Sequence, residues 1–370
     1  MSKTYILTGG TGFLGSLLSI ELIKKGNKVI FLGRSKNNED FETRIIKKLK
    51  SIDNNVNLNN VETLEFELSK EDNSININAT IDAIWHLAAN LSFKEADRTQ
   101  VLNTNINGLK NILKISEQKK VPVFYTSTAY VHGQRPGLIY EHDLIKPKKF
   151  NNPYEESKYK AENIIKEWGR KGGNDFIIFR PSILIEENRR TVSFFGYYAV
   201  VYALNKMRIN SGKEDLKISI PIPYSKDTLL NLMPTERAIE WMLEISSKKD
   251  ALGKTFHITN PRPFSMKTIF NQTMTATRVK FLLIGLPRYL VKFIYSLFYY
   301  LSFVLPPLRG IAKRFYYYKY YMSDYNIYDM TNTKKFLPAG GVEKLQFPEN
   351  YIYKIARDFI EKLEKTNKQL

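Results

Sequence analysis

The spacing of apolar and polar residues alternates between two periods along the first half of the chain, so strands and helices are predicted in turn. Short apolar runs predict strands at Tyr5–Leu7, Lys28–Leu32, Thr63–Glu67, Ala83–Leu87, Val121–Thr126 and Phe176–Phe179. Helical spacing predicts helices that begin at Phe13 and lie at Asp40–Leu49, Asn103–Glu117 and Tyr154–Gly169. This alternation favours right-handed crossovers and therefore an α/β fold, a doubly wound parallel sheet with helices on both faces.

The pattern changes after Pro181. Residues 186–230 mix aromatic residues with a short alternating strand at Leu216–Pro221, whereas a helix at Thr235–Ser246 and a strand at Thr255–Thr259 indicate a return to the sheet. A final amphipathic helix is predicted at Glu349–Glu364. The predicted organisation is a first domain of residues 1–185 rejoined by 231–260, a smaller C-terminal substrate lobe of residues 186–230 and 261–330, and a helical tail of residues 331–370.

Residues 281–322 are unusual because they are apolar, aromatic and basic at once. From Arg278 to Met322 there are eight lysines and arginines and no acidic residue. The apolar stretch Phe293–Leu305 spans 13 residues, which is short for a membrane-spanning helix of about 20 residues. The segment therefore fits either a helix on the surface of an anionic membrane or a buried helix pair that covers a substrate cleft.

Composition narrows the choice of partners. The net charge of +19 suits nucleic acid, anionic lipid or an anionic substrate, but the chain has no helix-turn-helix, zinc-finger or RNA-binding signature, so no nucleic-acid partner is predicted. The chain has no cysteine and four scattered histidines, so we predict no metal site. The first predicted strand begins within four residues of the start, so we expect no signal peptide. We expect a cytoplasmic protein, peripheral at the inner face of a membrane if residues 281–322 bind lipid.

A glycine-rich run joins the first predicted strand to the first helix, and its residues are Thr8, Gly9, Gly10, Thr11, Gly12, Phe13, Leu14 and Gly15. Between a strand and a helix, such spacing predicts a dinucleotide site. Gly9 permits the tight turn, Gly12 lets the backbone approach a pyrophosphate, and Gly15 lets the helix pack close to the strand. The phosphates would lie at the helix N-terminus, where free N–H groups favour anions.

Tyr154 and Lys158 are four residues apart on a predicted helix and therefore share one face. We expect the lysine cation to lower the pKa of the tyrosine, which makes Tyr154 a general acid or base for a carbonyl and alcohol pair. Ser127 and Thr128 follow the fifth predicted strand. Ligands bind at this end of the strands in open α/β sheets, so either hydroxyl is a candidate donor to the reacting oxygen.

In the order of its motifs, the chain resembles the extended short-chain dehydrogenases/reductases from Tyr5 to about Asn260. The matching segments are the glycine-rich run, His86–Ala89, Asn105–Gly108, Ser127–Thr128, Tyr154 with Lys158, and Arg180–Ser182. The resemblance implies a Rossmann-type fold. It also implies that Thr128, or Ser127 as a near-equal candidate, polarises the substrate oxygen while Tyr154 exchanges its proton.

Other roles also follow from this resemblance. Lys158 would hold the nicotinamide ribose, and Asn105 would support the helix that carries Tyr154. NAD-specific members place an acidic residue after the second strand, but here Gly33 fills that position and Arg34 follows. A guanidinium matches a 2′-phosphate, so we predict NADPH and a reductive direction. The other predicted cofactor-binding residues are Ser35, Glu67 near the adenine, Leu68, Leu87, Ala88, Ala89, Asn105, Arg180, Pro181 and Ser182.

Several segments resemble one branch of this family, the fatty acyl-CoA reductases and thioester reductases of the male-sterility type. These segments are His86–Phe93, Ser127–Val131, Asn152–Glu162 and His257–Pro261, with a partial match at Asn231–Pro234. The resemblance implies reduction of an acyl thioester carried by CoA or an acyl carrier protein, to an aldehyde or an alcohol. The alternatives are a reductase, dehydrogenase or epimerase acting on a sterol-like ketone or nucleotide sugar, and a non-catalytic NADP-binding scaffold at a membrane. A homodimer is a further expectation.

The C-terminal lobe offers candidate substrate contacts. An acyl channel could be lined by Phe194, Phe195, Tyr197, Tyr198 and Tyr202. Arg189 and Arg190, together with the basic segment 278–319, could attract the phosphates of CoA or of a carrier protein, or lipid headgroups.

Overall fold

The computed structural model describes residues 2–70, 75–187, 196–303, 316 and 318–367. Its strands in chain order are β1 (Thr4–Thr8), β2 (Lys28–Gly33), β3 (Val61–Glu65), β4 (Ala83–His86), β5 (Val123–Thr126), β6 (Gly137–Ile139), β7 (Phe176–Pro181), β8 (Ile183–Ile185), β9 (Leu216–Ser225), β10 (Leu229–Leu230), β11 (Leu232–Pro234), β12 (Lys254–Ile258), β13 (Phe264–Ser265), β14 (Val279–Leu286) and β15 (Asn326–Tyr328).

The α-helices of the described residues are α1 (Phe13–Lys24), α2 (Phe41–Ile52), α3 (Arg98–Leu102), α4 (Gly108–Lys119), α5 (Pro153–Gly172), α6 (Tyr197–Asn210), α7 (Thr235–Ser246), α8 (Met266–Thr277), α9 (Arg288–Leu301), α10 (Thr331–Phe336) and α11 (Tyr351–Asn367). A π-helical turn, Asn103–Asn107, joins α3 to α4. Short 3₁₀ turns lie at Leu58–Asn60, Glu95–Asp97, Ala129–His132 and Lys249–Ala251.

Seven parallel strands form the central sheet, in the spatial order β12-β7-β5-β4-β1-β2-β3. Side chains of alternate residues point to opposite faces of this sheet. Phe31 and Trp85 join an apolar cluster with α1, α2 and α7, whereas Ile30 and Ile84 join a second cluster with α4 and α5. Because both faces are buried, the inner strands are mostly apolar, whereas the edge strand β3 carries Glu62 and Glu65. The predicted doubly wound α/β fold is confirmed.

Each predicted strand of this sheet is observed with bounds that differ by at most two residues. The chain returns to the sheet through β12, which pairs in parallel with β7. The prediction of one helix over Asn103–Glu117 was too simple. The helical segment begins at Arg98 and is interrupted by the π-helical turn. Its first three residues, Arg98–Gln100, are polar, and Val101 and Leu102 alone are too few to show a helical period, which is why the sequence pattern missed this start.

The C-terminal lobe has its own apolar core. In this lobe β9 and β14 pair in parallel, with a register shift between Phe281 and Leu282. Helices α6, α8 and α11 bury Val201, Ile269 and Ile355 in one cluster. The final helix is therefore part of the lobe core, while Phe336 at the end of α10 packs in the core of the first domain.

The apolar and basic segment 281–322 contains the end of β14 and all of α9, while residues 304–315 and 317 lie outside the described residues. Helix α9 buries Val291 and Tyr295 and leaves its opposite face exposed. Over the described ranges, no helix combines the length and the apolar character that a membrane crossing requires.

Candidate active site

The glycine-rich turn after β1 has a backbone that only glycine fits. Gly9 has a φ of +80°, and a Cβ there would lie 2.7 Å from the backbone nitrogen of Ala88. A Cβ on Gly15 would lie 2.2 Å from the carbonyl oxygen of Gly9, and one on Gly12 3.1 Å from the same oxygen. Helix α1 therefore packs directly on the turn, and its N-cap Gly12 has no capping side chain. This open helix start fits a pyrophosphate.

The end of β4 closes one side of the turn. The Thr8 hydroxyl lies 2.7 Å from Nδ1 of His86 and accepts a hydrogen bond from the backbone N–H of Ala88 at 3.2 Å. Burial, together with the cation of Lys158, lowers the pKa of His86 to about 3, so the imidazole is neutral. The chain after β4, which begins with Leu87, Ala88 and Ala89, therefore passes beside the glycine turn.

Arg34 and Glu67 meet beyond the ends of β2 and β3, where the sequence places the adenosine half of the cofactor. The Arg34 guanidinium lies 2.5 Å from the Glu67 carboxylate, and the arginine side chain is 59% exposed. Burial acts to raise the pKa of Glu67, but hydrogen bonds from Arg34 and Ser69 bring it below its usual value. Arg34 therefore faces solvent with an acidic partner beside it.

The neighbouring residues shape the same corner. Gly33 has no room for a side chain, since a Cβ would lie 2.4 Å from the Phe41 ring. The backbone N–H of Ser35 donates to Glu65 at 3.1 Å, and the Leu68 carbonyl accepts from Asn111 at 2.9 Å. The corner therefore holds two carboxylates, Glu65 and Glu67, beside the exposed guanidinium of Arg34. A 2′-phosphate that binds Arg34 would have to displace Glu67 from it.

Tyr154 and Lys158 lie in the first turns of α5, which begins in a well-defined way. The Asn152 side chain caps the helix by accepting from the N–H of Glu155 at 2.9 Å, and Pro153 occupies the first turn. Lys158 is buried and donates from Nζ to the Thr126 carbonyl at 2.7 Å. Its Nζ lies 5.9 Å from the centre of the Tyr154 ring.

The hydroxyls that follow β5 reach the same place. Ser127 and Thr128 are both buried, and Thr128 lies near enough to Tyr154 for its side chain to lower the pKa of the phenol. The structure thus brings together Thr128, Tyr154 and Lys158, three of the residues that the sequence selected for chemistry. Of the two hydroxyls, Thr128 is the one that acts on the pKa of Tyr154.

The electrostatics of Tyr154 differ from the expectation. Burial and the charge of Glu155 raise the pKa of Tyr154, and the lowering effect of the Thr128 side chain only partly offsets them. The prediction that Lys158 lowers this pKa is therefore wrong for the protein alone. Burial also lowers the pKa of Lys158 to about 7, against the raising effect of Glu162, so the lysine has no full charge to offer near neutral pH.

Asn105 lies in the π-helical turn and joins three parts of the site. Its side chain accepts from the N–H of Asn90 at 2.7 Å and donates to the Asn90 carbonyl at 3.0 Å. It also donates to the hydroxyl of Ser157 at 2.8 Å. Ser157 lies between Tyr154 and Lys158 on α5, so Asn105 positions the catalytic helix against the loop after β4. π-Helical turns often occur at functional sites.

Arg180 belongs to the protein interior. Its guanidinium forms an ion pair with Glu162 at 2.7 Å, and both side chains are 0% exposed. It also donates to backbone carbonyls, such as that of Asp143 at 2.9 Å, and lies 3.4 Å from Nε2 of His257. Ser182, two residues later, donates to Asn231 at 2.6 Å. This geometry gives Arg180 a structural role, and a cofactor contact by Arg180, Pro181 or Ser182 remains a prediction.

Sequence reasoning missed a cluster that lies against Tyr154. The Tyr321 hydroxyl donates to the carboxylate of Glu155 and accepts from the Asn152 side chain at 3.0 Å. The Phe93 ring stacks 6.1 Å from Tyr154 and 6.0 Å from Tyr321. Tyr321 comes from the region after α9, 167 residues beyond Tyr154, so no local pattern links them. The many tyrosines among residues 316–328 are the one feature of the sequence that could have indicated this cluster.

The three predicted acyl-channel residues that the structure describes do not form one group. Tyr197 and Tyr198 are buried in the lobe core, where the Tyr198 ring stacks 4.7 Å from Phe359, while Tyr202 is 37% exposed. The other two predicted channel residues, Phe194 and Phe195, lie outside the described residues, as do Arg189 and Arg190, which were predicted to attract phosphates.

The fold and this arrangement define an extended short-chain dehydrogenase/reductase with a site for a nicotinamide dinucleotide. Residues 7–242 match the family model described as male sterility protein. Because this match spans more than half of the chain, the chain belongs to that family.

Curated relatives share a part of the chain. The chain is 28% identical over 141 residues to the UDP-N-acetyl-alpha-D-glucosaminuronate decarboxylase of Bacillus cytotoxicus. The aligned segment covers 36% of this chain and 39% of the relative. Over 202 residues it is 28% identical to dihydroflavonol 4-reductase of Arabidopsis thaliana, with 50% of each covered. The chain thus spans about half, or less, of the length of these relatives.

Solved structures resemble nearly the whole chain. The terminal R domain from the myxalamid PKS-NRPS biosynthetic pathway superposes with a TM-score of 0.75 at 20% identity, covering 99% of this chain and 91% of that one. The dTDP-glucose 4,6-dehydratase of Bacillus anthracis in complex with NAD superposes with a TM-score of 0.63 at 15% identity, covering 98% of both. At these identities the likeness shows the fold alone.

Proposed function

We propose that this chain is an NADPH-dependent reductase of acyl thioesters, which forms an aldehyde or, after a second reduction, an alcohol. The observation that carries the proposal is the joint placement of Thr128, Tyr154 and Lys158 at the strand ends beside the glycine turn. The thioester is favoured by membership of the male sterility family and by the likeness of the fold to a terminal R domain.

The site's own residues account for the proton chemistry. The reduced nicotinamide supplies the hydride when it is bound. Thr128 and Tyr154 donate hydrogen bonds to the carbonyl oxygen as negative charge develops there. Tyr154 is fully protonated near neutral pH because its pKa is raised, so it acts first as the acid that gives its proton to this oxygen. The resulting hemithioacetal loses its thiol, and an aldehyde remains.

Lys158 holds the site together. Its Nζ donates to the Thr126 carbonyl, which fixes the end of β5 and the two hydroxyls that follow. An anionic cofactor nearby would raise the pKa of Lys158, and the lysine would then be positively charged. This charge would stabilise the Tyr154 phenolate after proton transfer. We also propose that Lys158 holds the nicotinamide ribose, the role that the family resemblance implies.

The choice of NADPH rests on Arg34. Its guanidinium is exposed at the corner after β2, where no acidic side chain extends from Gly33. Glu67 partners Arg34 and would have to share it with a 2′-phosphate. NADPH dependence is thus favoured by the exposed cation and opposed by Glu65 and Glu67, and a direct comparison of both cofactors decides it.

The first experiment measures oxidation of NADPH and of NADH with a long-chain acyl-CoA, with ketones and nucleotide sugars run alongside and the aldehyde trapped as a hydrazone. We expect NADPH oxidation that matches hydrazone formation. The matched control is Tyr154→Phe, which removes one oxygen and should lower turnover roughly 10²- to 10⁴-fold while leaving NADPH affinity unchanged.

Two outcomes would contradict the proposal in different ways. Turnover of a ketone or a nucleotide sugar without turnover of acyl-CoA would keep the proton chemistry of Tyr154 and overturn the thioester. Relatives that include a dihydroflavonol 4-reductase give this second reading its support. NADPH binding without turnover of any substrate class would favour a non-catalytic scaffold.

A further inference from the structure

Helix α9 presents an apolar face to solvent. Its exposed residues recur at helical spacing on one side and include Tyr289 at 67% exposure, Phe293 at 62% and Tyr300 at 61%, with Leu297 at 45% and Leu301 at 53%. Side chains three and four residues apart lie along one face of a helix. Large apolar residues scattered singly over a surface are ordinary, whereas a continuous row of them marks an interaction surface.

The opposite face of α9 is fixed to the protein. Val291 is 0% exposed and Tyr295 is 3% exposed, and the Tyr295 hydroxyl donates to the Pro223 carbonyl of β9. Lys319 donates to Ser296 at 2.9 Å, which ties the following segment to the same helix. The helix is therefore held in place by contacts that do not involve its exposed row.

The preceding strand extends the apolar surface. Leu282 is 59% exposed and Ile284 is 38% exposed, two residues apart on β14 and so on one face of the strand. Pro287 then leads directly into α9. We refer to Leu282, Ile284, Tyr289, Phe293, Leu297, Tyr300 and Leu301 together as the α9 face.

Basic residues flank this face. Lys280 and Arg288 are exposed, and Lys226 lies beside β14, since a Cβ on Gly285 would be 2.7 Å from its side chain. The sequence has no acidic residue from Val279 to Ser323. Asp324, the first acidic residue after that range, is 7% exposed and forms an ion pair with Lys292. The segment that carries the face is therefore net positive, which favours an anionic partner.

We propose that the α9 face lies on the surface of an anionic bilayer, with its tyrosine and phenylalanine rings at headgroup depth and the flanking lysines and arginine on the lipid phosphates. Aromatic and basic side chains on an amphipathic helix are the chemistry of interfacial binding. This inference is independent of the proposed thioester reduction, because it rests on the surface and not on the site.

A second copy of the chain fits this surface less well. A two-fold contact would bring Lys280 and Arg288 of both copies together around an apolar centre, and like charges at an interface oppose association. An anionic membrane neutralises the same charges. The membrane is therefore the occupant to which charge complementarity points.

The test uses the full chain and vesicles of phosphatidylcholine alone or mixed equally with phosphatidylglycerol, separated by flotation at low and at high salt. The wild type should float with the anionic vesicles at low salt, and much less with neutral vesicles or at high salt. Replacing three exposed residues of the face, in the variant Tyr289→Ser, Phe293→Ser and Leu297→Ser, should weaken binding at least tenfold. The matched control, Leu138→Ser with Ile145→Ser, removes comparably exposed apolar residues elsewhere and should bind as the wild type.

A second measurement reports insertion directly and does not depend on loss of binding. Phe293→Trp should show a blue-shifted emission with anionic vesicles and quenching by brominated lipid, while Leu138→Trp should show neither. Failure of the wild type to float, or unchanged binding by the triple variant, would overturn the proposal. A wild type that is dimeric and a triple variant that is monomeric, with no vesicle binding by either, would instead identify the α9 face as a contact between copies.

Discussion

The hydroxyl of Tyr321 donates a hydrogen bond to the carboxylate of Glu155, the residue immediately after the candidate proton donor Tyr154. This bond ties the segment after α9 to the first turn of the catalytic helix. Glu155 is fully buried, and its other oxygen accepts from the backbone N–H of Asn151 at 3.2 Å. The bond matters for Tyr154 because the charge of Glu155 is one of the causes that raise the pKa of the phenol.

Titration of Glu155 makes stability depend on pH. Burial raises the pKa of Glu155 to about 7, against hydrogen bonds from Tyr321 and Asn151 that lower it. The folded protein thus binds this proton more tightly than the unfolded chain, whose pKa is near 4.5. The stability contributed by Glu155 is full below about pH 4.5 and is lost as the pH rises to about 7.

We expect Glu155→Gln to remove this slope. Relative to the wild type, the variant should gain free energy of unfolding as the pH rises from about 4.5 to about 7, by roughly 1–3 kcal/mol in total. Denaturant unfolding at several pH values measures it. Burial also raises the pKa of Glu141 to about 7, so the variant keeps part of the wild-type slope. A stability difference that stays constant across this range would contradict the assignment.

Much of this site could be predicted because its residues sit at fixed places in a repeating fold. The glycine turn, Thr128 and the pair Tyr154 and Lys158 each belong to a strand end or a helix face that periodicity identifies. The protonation state of Tyr154 could not be predicted, because it depends on burial and on Glu155. The contact of Tyr321 with Glu155 depends on how a distant segment packs, which no local pattern records.

Arg34 should set the preference for NADPH over NADH. Arg34→Ala should weaken NADPH binding about tenfold and leave NADH binding nearly unchanged, since a charge-assisted contact to phosphate is lost and the exposed position is screened by solvent. Fluorescence titration with each cofactor measures both affinities. The matched control is Lys36→Ala, an exposed cation two residues away. An equal loss of affinity for both cofactors would contradict a specific contact with the 2′-phosphate.

Asn105 should act on catalysis through Ser157. Asn105→Ala leaves the Ser157 hydroxyl and both backbone groups of Asn90 without this partner, so we expect a loss of about 1–3 kcal/mol in stability and a lower kcat with little change in KM. In a double-mutant cycle with Ser157→Ala the two effects should not add. Asn111→Ala is the control, because its bonds reach Leu68 and Lys70 and not α5. Additive effects would contradict the coupling.

The Glu162 and Arg180 pair should support the fold and not the cofactor. Glu162→Gln leaves the Arg180 charge buried without its counterion, and we expect a loss of about 3–5 kcal/mol in stability. The double variant Glu162→Leu with Arg180→Met should be less destabilised than this single change, since removing both charges of a buried pair is often nearly neutral. Thermal unfolding compares the two, and cofactor titration of the double variant supplies the independent measurement. A double variant that folds normally but binds NADPH at least tenfold more weakly would show that Arg180 contacts the cofactor, and would reverse the structural role that its complete burial indicates.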